Sequence, residues 1–200
     1  MNPLDFGTGL KNQSLIDRLS IQEWQSKSLQ VDMLRLDKIH PVVSGNKWFK
    51  LKYHLQKAIE KKVSRLITWG GAYSNHIVAT AYTSNQMGLP SIGIIRGEEP
   101  SHWSHTLKDA KKYGMNLRFV SRSNYARRNQ KDAFDQLVRE FPNSHFIPEG
   151  GGGEEGIQGA GEILKLVDAK LYTHLICAVG SGTTFRGLSR GLNSSQSIIG

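Results

Sequence analysis

Cysteine is nearly absent from this chain of 200 residues, with Cys177 standing alone. An intramolecular disulfide is therefore impossible, and the lone thiol points to a reducing compartment, the cytoplasm. Long hydrophobic runs are lacking as well: none approaches the roughly 18 apolar residues that would cross a bilayer, so no membrane span is expected. The opening Met1-Asn2-Pro3-Leu4-Asp5-Phe6 has neither the basic nor the apolar region of a secretory leader, and none is expected. Internal repeats, low-complexity tracts and proline-rich linkers are missing too. The net charge of +9, from 26 basic and 17 acidic residues, has no basic tail behind it. Residues 1–100 carry 13 basic and 8 acidic groups, and residues 101–200 carry 13 and 9. The densest cluster, Arg118, Arg122, Arg127 and Arg128, has no DNA- or RNA-binding signature around it, so nucleic acid is not the expected partner.

What remains is an ordinary globular composition, 38% hydrophobic and 22% charged, in a chain long enough to bury a core without covalent staples. Val31–Asp37 alternates apolar and polar residues as a half-buried strand does. Trp48, Leu51, Leu55, Ala58 and Ile59 recur at helical spacing. Arg65–Trp69 reads as a short strand ending in Gly70-Gly71, before a helix with Ile77, Ala81 and Tyr82 on its apolar stripe. Ser91–Ile95 reads as a buried strand, 101–113 as a helix stopped by Gly114, and Leu117–Val120 as another strand. A helix over 129–140, an edge or terminal strand at His145–Pro148 and a helix over Ile157–Val167 follow. His174–Val179 reads as a buried strand, Thr183 opens a helix, and Ser195–Gly200 looks like the start of one more strand. Strands alternating with helices at this spacing predict an α/β fold with a mostly parallel sheet, in which ligands bind beyond the carboxyl ends of the strands.

Three strand-to-helix junctions carry unusual chemistry. In Pro41–Leu51, Ser44 or Asn46 is expected to cap a helix whose first turn holds Lys47. A cation there opposes the helix dipole, which lowers the amine's pKa and favours the neutral form that condenses with an aldehyde; the plainer reading is a solvated lysine. In Thr68–His76, two glycines allow close backbone approach, and Ser74 and Asn75 open a helix whose free N–H groups suit a carboxylate. The plainer reading is a capping turn, with His76 as packing or surface rather than an acid–base group. In Ala178–Leu188, the Gly180-Ser181-Gly182-Thr183-Thr184 turn could cradle a phosphate with consecutive N–H groups and three hydroxyls. It is neither a Walker A loop nor a dinucleotide fingerprint, and a tight turn is its plainer reading. The run Gly150-Gly151-Gly152-Gly153 is either a hinge or a loop passing close to a ligand.

Taken together and in this order, the junctions resemble one family: the pyridoxal-phosphate-dependent 1-aminocyclopropane-1-carboxylate deaminase / D-cysteine desulfhydrase group, of the tryptophan-synthase-β-like fold type II. Ser44-Gly45-Asn46-Lys47-Trp48-Phe49-Lys50-Leu51 is similar to the group's lysine motif, Gly70-Gly71-Ala72-Tyr73-Ser74-Asn75-His76 to its G-[GA]-x-Q-S-N-[HQ] loop, and Gly180–Thr184 to its phosphate loop. The resemblance implies pyridoxal 5′-phosphate held by Lys47, which then serves as acid or base. It implies Asn75 on the cofactor's phenolic oxygen, and Gly180, Ser181, Gly182, Thr183 and Thr184 on its phosphate. Ser74 would meet the substrate carboxylate or act as a nucleophile, with Tyr73, Asn75 and His76 also on the substrate side; Tyr73 stands where the family usually has Gln. No metal is implied. The implied fold is two three-layer open parallel-sheet domains, with the large one truncated at its C-terminus. Residues 1–52 (with the lysine) and 159–200 (with the phosphate loop) belong to the large domain, and 53–158 form the small one. The implied activity is deamination or β-elimination of a small amino acid, D-cysteine or 1-aminocyclopropane-1-carboxylate, to a 2-oxo acid and ammonia, in a homodimer. The rival readings are an inactive cofactor-binding remnant and a basic anion-binding protein.

Overall fold

The computed structural model describes residues 15–200. The Met1–Phe6 stretch read for a leader, and the beginning of the expected first segment, lie outside the described residues. The described chain opens with an antiparallel ribbon, β1 (Ile16–Leu19) against β2 (Val31–Leu34), with α1 (Gln22–Gln25) between them. The alternation through Asp37 predicted a longer strand; Leu36–Lys38 instead winds into a 3-10 turn. There Arg35 is shared between Asp17 at 2.6 Å and Asp37 at 2.7 Å, which favours the tight turn. The long helix α2 (Asn46–Glu60) follows, with Leu51, Leu55 and Ala58 buried on its inner face. Each of these two leucines contributes on the order of 1.5–3 kcal/mol by leaving water.

The central unit is β3 (Arg65–Gly70), α3 (Asn75–Gln86), β4 (Ser91–Arg96), α4 (His105–Lys112), β5 (Asn116–Val120), α5 (Arg122–Ala126), α6 (Lys131–Glu140) and β6 (Ser144–Ile147). Its strands form a parallel sheet in the order β5-β4-β3-β6, so β6 is an edge strand, as the sequence predicts. Both faces are covered, which is why β3 and β4 read as nearly unbroken apolar runs. Leu66 packs with Leu51, Leu55 and Ala79 on one face. Ile67 and Trp69 pack with Phe134, Leu137 and Phe146 on the other. The helix expected from residue 101 begins at His105, because Ser104 caps it: its Oγ accepts the Leu107 N–H at 3.2 Å. The short α5, capped in the same way by Ser121, was not foreseen.

Of the two sequence expectations for the glycine run, a hinge or a loop close to a ligand, the structure favours the second, for Gly150 joins the wall of a cavity. Gly150, Gly151 and Gly153 all have φ near +70° to +80°, a region closed to most side chains. Gly153 is already the first residue of α7 (Gly153–Gly161), which continues into a 3-10 turn at Glu162–Leu166. The helix predicted for 157–167 is thus shifted toward the N-terminus. It crosses α2 at Gly159, where a Cβ would lie 2.0 Å from the Phe49 carbonyl oxygen. The chain ends with β7 (His174–Ile176), α8 (Thr183–Ser189) and β8 (Ser197–Ile199), the two strands pairing in parallel. β7 is shorter than expected and is not buried: Ile176 is 76% and Val179 52% exposed. Among the described residues only β8 pairs with it, so a strand patterned for the inside of a sheet lies at its margin. Helix α2 runs unbroken through residues 52 and 53, where the sequence drew a domain boundary. No helix of the described residues is long and apolar enough to cross a membrane.

Candidate active site

A cavity of about 380 Å³ opens where three carboxyl-side junctions meet, and its walls include Lys47, Lys50, Ser74, Asn75, Ser181 and Thr184. The first wall is the start of α2. Neither Ser44 nor Asn46 caps it with a side chain; the cap position is Gly45, at φ +68°. Asn46, released from capping, does other work. Its Nδ2 donates to Thr184 Oγ1 at 2.9 Å, and its Oδ1 accepts from Lys47 Nζ at 2.8 Å. One amide therefore ties the lysine to the glycine-serine turn 138 residues later in the chain. Lys47 is held below the ordinary lysine range, and burial is the cause.

Lys50, one turn further along α2, is the residue sequence reasoning missed. Its Nζ lies 3.4 Å from Ser181 Oγ, and burial together with the charge of Lys47 pushes its pKa down to about 8. Neither lysine has an acidic partner among the described residues. Glu149 also lines the cavity, but Arg128 Nη2 holds its carboxylate at 2.8 Å. The i, i+3 spacing of Lys47 and Lys50 was the available signal, since it sets both on one helical face.

The second wall is the turn into α3. Gly70 leaves room that a side chain would fill, its would-be Cβ lying 2.5 Å from Ile77 Cγ1 and 2.9 Å from Ser74 Oγ. Ser74 occupies the N-cap position, yet its side chain makes no capping bond, so the hydroxyl stays available to the cavity. Asn75 is exposed beside it. Tyr73 points elsewhere: it is 77% exposed, is not part of the cavity wall, and has its ring centroid 6.5 Å from that of His105.

His76 is part of the same wall although it is only 1% exposed. Thr68 Oγ1 donates its one hydrogen to the Ile147 carbonyl at 2.8 Å, so it must accept from His76 Nε2–H at 2.7 Å. Burial favours the neutral ring, which then has its lone pair on Nδ1, itself buried and without a hydrogen-bond partner among the described residues. Burial, reinforced by Lys47, Lys50 and His54, holds its pKa well below the ordinary value.

The third wall is the 180–184 turn. Gly182 has φ +73°, and nothing stands within 4 Å of a would-be Cβ at Gly180 or Gly182. Ser181 and Thr184 face the cavity. Thr183 turns inward instead: it is 5% exposed and its Oγ1 lies 3.1 Å from Ser181 Oγ. Open glycine backbone, two hydroxyls and a lysine without an acidic partner suit a phosphate dianion. A second lysine in the same cavity, its pKa lowered by burial, suits an aldehyde. The residues present thus fit the cofactor that the sequence resemblance implies.

Comparisons with known proteins agree. A family profile described as "Pyridoxal-phosphate dependent enzyme" matches residues 23–199. A putative 1-aminocyclopropane-1-carboxylate deaminase of Thermotoga maritima is 35% identical over 158 residues, 76% of this chain and 50% of the relative. The mitochondrial bifunctional D-cysteine desulfhydrase/1-aminocyclopropane-1-carboxylate deaminase of Arabidopsis thaliana is 29% identical over 74% of this chain and 41% of its own. Among solved structures, an ACC deaminase homologue superposes with a TM-score of 0.72 at 28% identity, covering 88% of this chain and 55% of that one. The chain spans about half the length of the curated relatives it matches, 50% and 51% for two of them.

Proposed function

Because the chain belongs to the pyridoxal-phosphate-dependent enzyme family, we propose that its cavity binds pyridoxal 5′-phosphate and serves the deamination or β-elimination of a small amino acid. The observation that carries this reading is the convergence, in one cavity, of Lys47, the Ser74-Asn75 helix start and the Gly180–Thr184 turn. The substrate is D-cysteine or 1-aminocyclopropane-1-carboxylate, and the products are a 2-oxo acid and ammonia. When bound, the cofactor supplies an electron sink for the substrate's α-carbon.

The chain's own residues divide the remaining tasks. Lys47 Nζ, lowered by burial, is the amine that meets the aldehyde, and it then holds or returns a proton. Asn46 keeps it aimed. The N–H and hydroxyl groups of Gly180, Ser181, Gly182, Thr183 and Thr184, with Lys50, receive the phosphate. Asn75 takes the phenolic oxygen. Ser74 and the α3 N-terminus take the substrate carboxylate or, for ring opening, Ser74 Oγ attacks as nucleophile. His76, in the cavity wall, belongs to the substrate side, with the exposed Tyr73 outside the cavity beside it. The domain assignment 1–52, 53–158 and 159–200, a homodimer and a cytoplasmic location belong to the same reading.

Titrating the protein with pyridoxal 5′-phosphate should produce the visible absorbance of the lysine-bound cofactor, lost in Lys47→Ala. D-cysteine and 1-aminocyclopropane-1-carboxylate are then assayed side by side for 2-oxo acid. No absorbance at saturating cofactor defeats the proposal, and absorbance without product leaves only the inactive cofactor-binding reading.

A further inference from the structure

The glycine turn 150–153 forms the floor under Lys50 and has no side chains with which to hold itself in place. A would-be Cβ of Gly151 lies 3.1 Å from Lys50 Cβ and 3.6 Å from Lys50 Cε, and one at Gly150 lies 3.7 Å from Ser181 Oγ. The turn therefore lies flat along the lysine stem and reaches the serine that Lys50 faces. Four successive glycines carry more backbone entropy than other residues, so their order rests on a few backbone bonds. One is Gly151 N–H to the Pro148 carbonyl at 2.9 Å. Another is made by His54, one turn beyond Lys50 on α2, whose Nε2 lies 2.8 Å from the Gly152 carbonyl oxygen.

That contact fixes the proton positions of two histidines. A carbonyl only accepts, so His54 carries a hydrogen on Nε2, and burial, which lowers its pKa, favours the neutral ring with a lone pair on Nδ1. His145 Nε2, 3.2 Å from His54 Nδ1, must then be the donor. His54 and His145 are 1% and 9% exposed. The result is a directed chain, His145 to His54 to Gly152, which needs the His54 ring to be neutral. The charged groups around it are Lys50 and Lys57 on α2, Lys61 at its C-terminal cap, and Glu155 on α7.

We propose that His54, oriented by His145, is a positioning residue for the cofactor's phosphate: it pins the Gly152 carbonyl and thereby keeps the glycine turn packed along Lys50, opposite Ser181. The inference rests on the cofactor reading above. It predicts that the pair matters for the phosphate and not for the aldehyde.

The test compares the 200-residue chain with His54→Leu and His54→Gln in binding pyridoxal 5′-phosphate, pyridoxal and inorganic phosphate, with thermal unfolding recorded alongside. His54→Leu should weaken pyridoxal 5′-phosphate and inorganic phosphate about tenfold and leave pyridoxal unchanged. His54→Gln, whose amide can both donate to Gly152 and accept from His145, should stay within about twofold of wild type. Equal binding of all ligands by His54→Leu, or equal loss of pyridoxal, overturns the inference alone. Wild-type protein that binds neither phosphate nor cofactor overturns the cofactor reading and the inference with it. If His54→Leu does not fold, ¹⁵N spectra of the wild-type imidazoles decide. Nε2–H tautomers for both rings, with His54 shifted by inorganic phosphate, support the proposal; an Nδ1–H or charged His54 at pH 7.5, or no shift, overturns it.

Discussion

Replacing Gly159 or Gly156 by alanine places one methyl group where a backbone already stands. Both glycines lie inside α7 at ordinary helical φ, so alanine by itself would favour the helix by ~1 kcal/mol. At Gly159 the new Cβ would sit 2.0 Å from the Phe49 carbonyl oxygen, against an ordinary contact of 3.4 Å or more. The helices must separate by about 1.4 Å (3.4 minus 2.0) along that line, and neither side is a flexible side chain that could swing away. Overpacking costs ~1–3 kcal/mol, and rigid neighbours place this site at the upper end. Subtracting the propensity gain leaves a net loss of about 2 kcal/mol, or roughly 4–8 °C in Tm for a chain of this size. Urea unfolding followed by tryptophan fluorescence measures it. Gly156→Ala meets the Gly151 carbonyl oxygen at 1.9 Å and should cost as much. It differs in a second respect: it pushes the glycine turn along Lys50, so it should also weaken phosphate binding, which Gly159→Ala should not. A Gly159→Ala protein as stable as wild type would show that α2 and α7 do not meet backbone to backbone, and would refute the reasoning.

Further outcomes are expected. Lys50→Met should reduce affinity for inorganic phosphate at least tenfold by equilibrium titration; unchanged affinity would remove Lys50 from the site. In wild-type apoprotein that affinity should fall as pH rises through about 8, because the ammonium of Lys50 loses its proton there; a profile flat from pH 7 to 9 would contradict this. Burial and the neighbouring His54 push His145 down from 6.5 to about 4, so between those values the unfolded chain binds more protons than the folded one. Stability should therefore be intact above pH 6.5, fall on acidification toward pH 4, and fall less steeply in His145→Gln, read as urea midpoints. Thr68→Val strips His76 Nε2–H of its acceptor, leaving a buried donor unsatisfied at a cost of about 1–3 kcal/mol; a neutral effect in thermal unfolding would argue against the tautomer assigned to His76.

Much of this was legible in the sequence because it rests on local patterning. The period-2 and period-3.6 stretches located β3, β4, β5, α2, α3 and α6, and the alternation of strand and helix gave the parallel sheet. What escaped depends on partners distant in the chain. Asn46 looked like a cap, yet its side chain is drawn to Thr184 by an interaction no local pattern encodes. Gly153 looked like loop, yet the close approach of Gly156 to the Gly151 carbonyl lets a helix begin there. His174–Val179 has the composition of a buried strand, and burial depends on neighbours rather than composition. Lys47, Ser74, Asn75 and the 180–184 turn could be named individually from their motifs. That Lys50 completes the phosphate side required knowing which way α2 faces.

That orientation makes the site sensitive to helical register. Lys47, Lys50, His54 and Lys57 follow one another at steps of three and four along α2 and meet, in turn, Asn46, Ser181, Gly152 and Glu155. The attachment point, the phosphate contact, the anchor of the glycine turn and the ion pair to α7 are thus graduations on a single ruler with a rise of ~1.5 Å per residue. A one-residue insertion between Lys50 and His54 would turn everything beyond it by ~100° and carry the anchor off the glycine turn. An insertion at the exposed Glu98-Glu99, between β4 and α4, would leave the ruler untouched. Tolerance to length change along this chain should therefore drop sharply within residues 47–57, whatever residue is inserted.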